Sequence, residues 1–503
     1  MAITVLILRI VSQVKWYSIE PVHLKIAGLS KRLRWELSNI WESLTPNFFL
    51  LKKTLFCYFN NMNPFFDIHF HVMTFKEPNL AAFLSSLDSS PASLLQGNIT
   101  KDYILTLNGI LKGQLFSQIE NTLTAFSRPI DETFHMMEDD LKGKYRKSNN
   151  KGEYPSVPYI RDSKLYFRSQ AYDTIILSPL LMDFSQTQSN IDKLYYSFPA
   201  FDKITPYALD TISAINKYYE DENSLFEFYP FIGINPIAHS YEFLVNHLSR
   251  FVDITHTMHP RHKLNDSERV FFGVKLYPPL GFDPWPQDSN ELKKVRYLYS
   301  FCEKNRVPII THCDDQGFKG INPLEAWKFT DPASWKTVLE NYPKLIIDFA
   351  HVGRQYAVNS GSNIIENVHS RIKRLPQGEW FYTLMDMINE YDNVYSDISF
   401  TGCYKEFYIQ FLNYLDSISL EKRKKIEDRI LFGSDFSVNL LRVESYLNYY
   451  YIFDSSPLSD EFVHKIVSTN PMSFLGLKEK EEVKKKGMLS FFTKRLPNSN
   501  SSS

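Results

Sequence analysis

Eight short apolar runs, rich in β-branched and aromatic residues, constrain the fold of this chain more than any other feature. They fall at 65–72, 174–184, 227–236, 270–278, 307–313, 345–352, 394–400 and 429–436, and each ends in a polar or Gly/Pro-marked loop. From the third onward they recur roughly every 40 residues, the length of a strand, a loop and a helix. The intervening segments carry helical periodicity. Between 291 and 302, Leu292, Val295, Leu298, Tyr299 and Cys302 fall on one helical stripe. Eight strands alternating with helices predict an α/β fold, and a closed parallel (β/α)8 barrel in preference to an open sheet.

The gap between the first and second runs is too long for one helix, so residues 85–165 are expected to form an insertion on the catalytic rim. Its polar stretch 142–155 reads as a loop. Residues 62–477 then form the barrel with its insertion, between an N-terminal extension, 1–61, and a charged tail, 478–503. The extension reads as a cap or a peripheral helix, unless Met62 is the natural start. The tail reads as solvated and disordered. The apolar start, 1–11, has no preceding positive charge, is broken by Arg9 and is too short to span a bilayer. No other run reaches about 18 uninterrupted apolar residues, so no integral membrane segment is expected.

A balance of 56 basic against 57 acidic residues gives no reason to expect nucleic acid as a partner. Cys57, Cys302, Cys313 and Cys403 are scattered, with no Cys-x-x-Cys pair, which suits the reducing cytoplasm. Assembly into a homo-oligomer is left open.

Barrel enzymes place their chemistry at the C-terminal ends of the strands. The first run carries Asp67, His69 and His71. Strand alternation predicts these three on one face, with Phe66, Ile68 and Phe70 packing outward under a helix. Two imidazoles about 7 Å apart on one face can close on a single metal ion. The fourth run holds Lys275 and Tyr277, and the fifth ends in His312, Cys313 and Asp314. The sixth ends in His351, followed by Arg354, and the eighth ends in Asp435. One such residue at one strand end has a bland explanation; five ends at the same pole do not.

In this ordered set the chain resembles the amidohydrolase superfamily, and more narrowly its amidohydrolase-related branch of metal-dependent hydrolases and non-oxidative decarboxylases. The resemblance spans 62–477, including the closing segment 470–477. It implies that His69, His71 and Asp435 ligate a metal, with His312 completing a mononuclear site. Zinc (Zn2+) suits three imidazoles and a carboxylate, and another divalent ion would meet the same donors. It further implies that Asp435 is the general base toward a metal-activated water, and that His351 stabilises the oxyanion or shuttles a proton. The string Lys275-Leu-Tyr-Pro is similar to the dihydroorotase motif, whose lysine is carboxylated and bridges two metals. On that pattern His312, His351 and Lys275 would join the ligand set.

The expected activity is hydrolysis of a small amide, lactone or ester. Its competitors are decarboxylation of a small aromatic or enoic acid, and a non-catalytic barrel that binds a ligand or partner. Arg354, Tyr277 and Asp314 are the candidate contacts to a small-molecule substrate. Asp67 is expected to orient a ligand histidine, and Asp397 to hydrogen-bond inside the barrel. His256, His259 and His262 mimic a metal cluster, but they precede the fourth strand and Pro260 breaks any helix that would align them. They read as loop contacts. Cys313 reads as a core thiol. Dinucleotide, Walker and Gly-x-Ser-x-Gly patterns are absent from the sequence.

Overall fold

The computed structural model describes residues 63–74, 114–145, 154–185, 204–255, 269–315, 323–355 and 379–477, with single residues 76, 264, 317 and 321. Strand β1 (Pro64–Phe70) comes first, followed after the insertion by an antiparallel meander of β2 (Ile160–Arg161), β3 (Lys164–Phe167) and β4 (Gln170–Tyr172). Then come β5 (Thr174–Pro179), β6 (Phe226–Phe228), β7 (Phe231–Gly233), β8 (Gly273–Leu276), β9 (Ile309–Thr311), β10 (Ile347–Phe349), β11 (Val394–Asp397) and β12 (Ile430–Leu431). All eight predicted runs contain strand.

The strands form a parallel three-stranded sheet, β1-β5-β6, and a parallel six-stranded one, β12-β11-β10-β9-β8-β7. Strands β6 and β7 are halves of one strand, interrupted at Pro230, which has no N–H for the ladder. Backbone bonds join the two sheets at both edges. The Leu181 N–H donates to Phe231 O at 3.1 Å, Ile68 to Phe432 O at 3.0 Å, and Asp435 to His69 O at 2.7 Å. The result is the closed ring of eight strands that the sequence predicts.

A buried apolar cluster shows where the lumen lies. It takes Phe66 and Ile68 from β1, Ile176 from β5, Phe231 from β7, Ile310 from β9, Tyr395 from β11 and Leu431 from β12, with Phe272 and Ile346 just before β8 and β10. Only the inside of a ring touches every strand. Phe474, Leu475 and Leu477, at the end of the helix Asn470–Phe474, join this cluster, and the Phe474 ring stacks on Phe231 with centroids 6.3 Å apart.

This placement corrects the expected faces of β1. Phe66 and Ile68 face the lumen, whereas the Asp67 carboxylate is taken by Tyr446, on the helix Tyr446–Asp454. The pairing of β1 with β5 shifts between Asp67 and Phe70. Simple two-residue alternation therefore does not carry through to His69 and His71.

The surrounding helices follow ordinary rules. In Ser289–Asn305 the Asp288 carboxylate caps the N–H groups of Asn290 and Glu291, at 2.9 and 3.0 Å. Its predicted stripe buries Val295, Leu298, Tyr299 and Cys302. The insertion contributes helices Gln114–Ser127 and Ile130–Leu141. Asn121 donates to Glu444 O at 3.2 Å, and Asp140 accepts from the Leu447 N–H at 2.7 Å. Both contacts meet the segment after β12, so this part of the insertion lies at the C-terminal pole of the strands.

Expectations for 1–61, 85–113, 146–153 and 478–503, and for Cys57, His256, His259 and His262, lie outside the described residues. Among the described residues no helix is long and apolar enough to cross a membrane. Cys302, Cys313 and Cys403 are free thiols, and Cys313 packs in the core as expected.

Candidate metal centre

The histidines of β1 meet the end of β12 because that approach is unusually close. A Cβ added to Gly433 would stand 2.5 Å from the His69 Cβ, so only glycine fits there. Asp435, two residues after Gly433, and His351, just after β10, both adopt positive φ, 59° and 66°, a region side chains rarely occupy. Strained backbone thus carries two of the predicted site residues at the strand ends.

Both β1 histidines are held by Nδ1. His69 Nδ1 lies 2.7 Å from Asp397 Oδ2, and His71 Nδ1 lies 3.0 Å from Leu180 O. Their Nε2 atoms turn toward one carboxylate: Asp435 Oδ1 is 3.3 Å from His71 Nε2 and 3.6 Å from His69 Nε2. His69 Nε2 is fully buried and has no hydrogen-bond partner among the described residues. An orphaned imidazole nitrogen beside a second imidazole and a carboxylate is the donor set a divalent ion needs. His69, His71 and Asp435 therefore fit a metal.

The remaining predicted groups adjoin this trio. His351 Nε2 lies 3.3 Å from His312 Nδ1, and His312 Nε2 lies 3.1 Å from Asp314 Oδ1. Three sets of candidate ligand atoms result: His69, His71, Asp435; His69, His351, Asp397; and His312, Asp314, His351. They are chained through the shared His69 and His351. Asp314 is thus a partner of His312. The Tyr277 ring packs against His312, with centroids 4.6 Å apart. Arg354 is not a surface residue: it is 1% exposed, with its guanidinium 4.0 Å over the Tyr404 ring.

The charge environment is dominated by burial. Burial, with Lys275 nearby, lowers His69 to about 3, so its imidazole is neutral at physiological pH and ready to act as a ligand. Burial also lowers His312. Asp435 is buried, which opposes ionisation, but the His71 hydrogen bond and the His351 charge hold it below the usual carboxylate range. Burial lowers Lys275 to about 8, against the pull of Asp397, Asp435, Asp348 and Asp314. Its Nζ is buried without a hydrogen-bond partner among the described residues.

Asp67 differs from expectation, while Asp397 hydrogen-bonds inside the barrel as expected. Asp67 does not orient an imidazole: its carboxylate accepts from the Ser434 N–H at 2.9 Å and the Tyr446 hydroxyl at 2.9 Å, and burial raises it to about 7. The orienting carboxylate is Asp397. It also accepts from the His351 N–H at 3.1 Å, from the Ser399 N–H at 2.9 Å and from the Ser399 hydroxyl. Two further residues escaped the sequence reading. Ser399 accepts from His351 Nδ1 through its carbonyl, at 3.0 Å, and Asp348 lies buried in the lumen. The acid within the apolar run 345–350 was a signal of the same kind as Lys275.

Residues 266–477 match the sequence model of the family described as Amidohydrolase. No curated protein matches the chain. Among solved structures, it is similar to 4-oxalomesaconate hydratase from Rhodopseudomonas palustris, at 13% identity over 85% of this chain and 99% of that one, with a TM-score of 0.35. It is also similar to a uronate isomerase from Bacillus halodurans, at 11% identity over 83% and 94% of the two chains, with a TM-score of 0.36. An amidohydrolase from Mycobacterium avium subsp. paratuberculosis gives 16% identity over 60% and 71%, with a TM-score of 0.27. At these scores the likenesses bear no weight for substrate or mechanism. The family match, with the ordered His/Asp clusters at the strand ends, assigns residues 266–477 to the amidohydrolase superfamily of enzymes.

Proposed function

We propose that this protein is a metal-dependent hydrolase of a small amide, lactone or ester, with the ion held by His69, His71 and Asp435. The observation that carries the reading is the orphaned His69 Nε2. Both β1 imidazoles are fixed by Nδ1, so their Nε2 atoms remain for a metal. Zinc best suits the imidazole and carboxylate donors. A divalent ion in such a site polarises a substrate carbonyl and lowers the pKa of water toward neutrality.

The chain's own residues supply the rest. Asp435, held ionised by His71, takes the proton from the attacking water and passes it to the leaving group. His351, anchored through Nδ1 by Ser399, presents Nε2 toward His312, and this pair stabilises the developing oxyanion or moves a proton. Tyr277, Asp314 and Arg354 border this pair and frame the substrate. The four acids around Lys275 favour an ammonium, because a carboxylated lysine would add negative charge among them. A single metal is the consistent stoichiometry. Free cysteines suit the cytoplasm.

Assaying the zinc-loaded protein against panels of lactones, amides and esters tests the reading, with carboxylated aromatics as the contrasting panel. Hydrolysis that disappears in Asp435→Asn supports it. Carbon dioxide release from aromatic acids, with no cleavage of the other panels, overturns it in favour of decarboxylation.

A further inference from the structure

The peptide that joins Gly433 to Ser434, just ahead of Asp435, is held at both of its polar ends. Its carbonyl, Gly433 O, accepts from the Tyr449 hydroxyl at 2.6 Å. Its N–H, on Ser434, donates to Asp67 Oδ1 at 2.9 Å. In a regular parallel ladder, a strand that gives the Ile68 N–H to Phe432 O receives the Ser434 N–H at Ile68 O. Here the Asp67 side chain takes that bond, and the next backbone bond runs from the Asp435 N–H to His69 O.

The same helix fixes the Asp67 carboxylate. Its Oδ2 accepts from the Tyr446 hydroxyl at 2.9 Å, and the Tyr446 and Tyr450 hydroxyls share a further bond at 2.9 Å. Tyr446, Tyr449 and Tyr450 stand at i, i+3 and i+4 on the helix Tyr446–Asp454, so they share one face, and all three are buried. The fit is close. A Cβ added to Gly402 would stand 2.6 Å from the Tyr449 hydroxyl. One helix thus grips the Gly433–Ser434 peptide on its carbonyl directly and on its N–H through Asp67.

Asp435 depends on such a grip. Its φ of 59° persists only where the surroundings enforce it. Without the Tyr449 hydroxyl the buried Gly433 carbonyl loses a donor, and any rotation of that peptide in search of another turns Asp435 away from the two imidazoles. We propose that Tyr446 and Tyr449 are positioning residues that clamp the Gly433–Ser434 peptide and thereby hold the Asp435 carboxylate against His69 and His71. The inference rests on the reading of Asp435 as a metal ligand.

Cobalt(II) titration of the metal-free protein, followed by visible absorption, tests this in Tyr446→Phe and Tyr449→Phe, which delete a hydroxyl and keep the ring. Tyr159→Phe is the control, because its hydroxyl donates to Asp454 Oδ2 at 2.8 Å, at the far end of the same helix. Urea unfolding measures the stability that each variant loses. The clamp variants are expected to bind cobalt about tenfold more weakly and with an altered spectrum, the lower end of what losing an outer partner of a ligand costs. Tyr159→Phe is expected to keep the wild-type affinity and spectrum, whatever stability it loses. Clamp variants with wild-type affinity and spectrum overturn the proposal. So does a control that weakens binding as much as they do, since general loosening of the helix would then be the cause. Should one clamp variant fail to fold, the other decides. Wild-type protein that takes up no cobalt overturns the metal centre itself, a distinct result.

Discussion

His69 Nδ1 and Asp397 Oδ2 lie 2.7 Å apart across the closing edge of the barrel, joining β1 to a residue 328 positions later in the chain. Both groups are fully buried. The contact fixes the imidazole plane and leaves Nε2 toward Asp435, so the ligand geometry of the first strand is set by the seventh strand of the ring.

That contact makes Asp397→Asn informative. Asparagine keeps the volume but loses the charge that His69 and the Ser399 donors face. Metal affinity is expected to fall 10- to 100-fold, measured by competition with a chelating dye, while thermal unfolding of the metal-free protein stays cooperative. Unchanged affinity would mean that Asp397 serves folding alone.

Lys275 predicts a pH-dependent stability effect. The ordinary lysine value of 10.5 falls to about 8 in the fold, so the unfolded chain binds this proton more tightly. At 1.36 kcal/mol per pH unit, the buried ammonium costs the metal-free fold up to about 3 kcal/mol at pH 7. The sign follows: wild-type stability gains on Lys275→Met as pH rises from about 8 to 10.5, where the unfolded state holds more protons than the folded one. Urea unfolding should therefore show Lys275→Met more stable at pH 7, with the difference gone above pH 10.5. A destabilised variant at pH 7 would contradict this.

Gly433 ties stability to the site. In Gly433→Ala the new Cβ meets the His69 Cβ at 2.5 Å and the Ser399 Cβ at 3.1 Å. Crowding of this kind costs about 1–3 kcal/mol, and relief requires β12 to move off β1. Chemical denaturation should show the loss, and metal binding should weaken with it because Asp435 follows on the same segment. A variant of wild-type stability and affinity would show that the gap between the strands is wider than described.

Much of the fold was legible because it is written in local periodicity. The eight runs all contain strand, and the stripe Val295, Leu298, Tyr299 and Cys302 is buried as its spacing implied. The pole shared by His69, His71, Lys275, His312, His351 and Asp435 follows from their positions at strand ends. What was not legible depends on irregularity or on distance in sequence. The shift in pairing between Asp67 and Phe70 separates Asp67 from the face of His69 and His71, and no residue there announces it. The exchange of roles between Asp67 and Asp397 depends on which carboxylate the ring brings to the imidazole, a matter of register between strands far apart in the chain. Asp348 was legible in principle, as an acid within an apolar run.

The central claim is a metal ion held by His69, His71 and Asp435. Elemental analysis of the purified wild-type protein and of His69→Ala, both confirmed folded by circular dichroism, tests it most directly. About one divalent ion per wild-type chain, lost in His69→Ala, is the predicted result. A wild-type chain that holds no ion after metal loading, or a His69→Ala chain that keeps its ion, would contradict it.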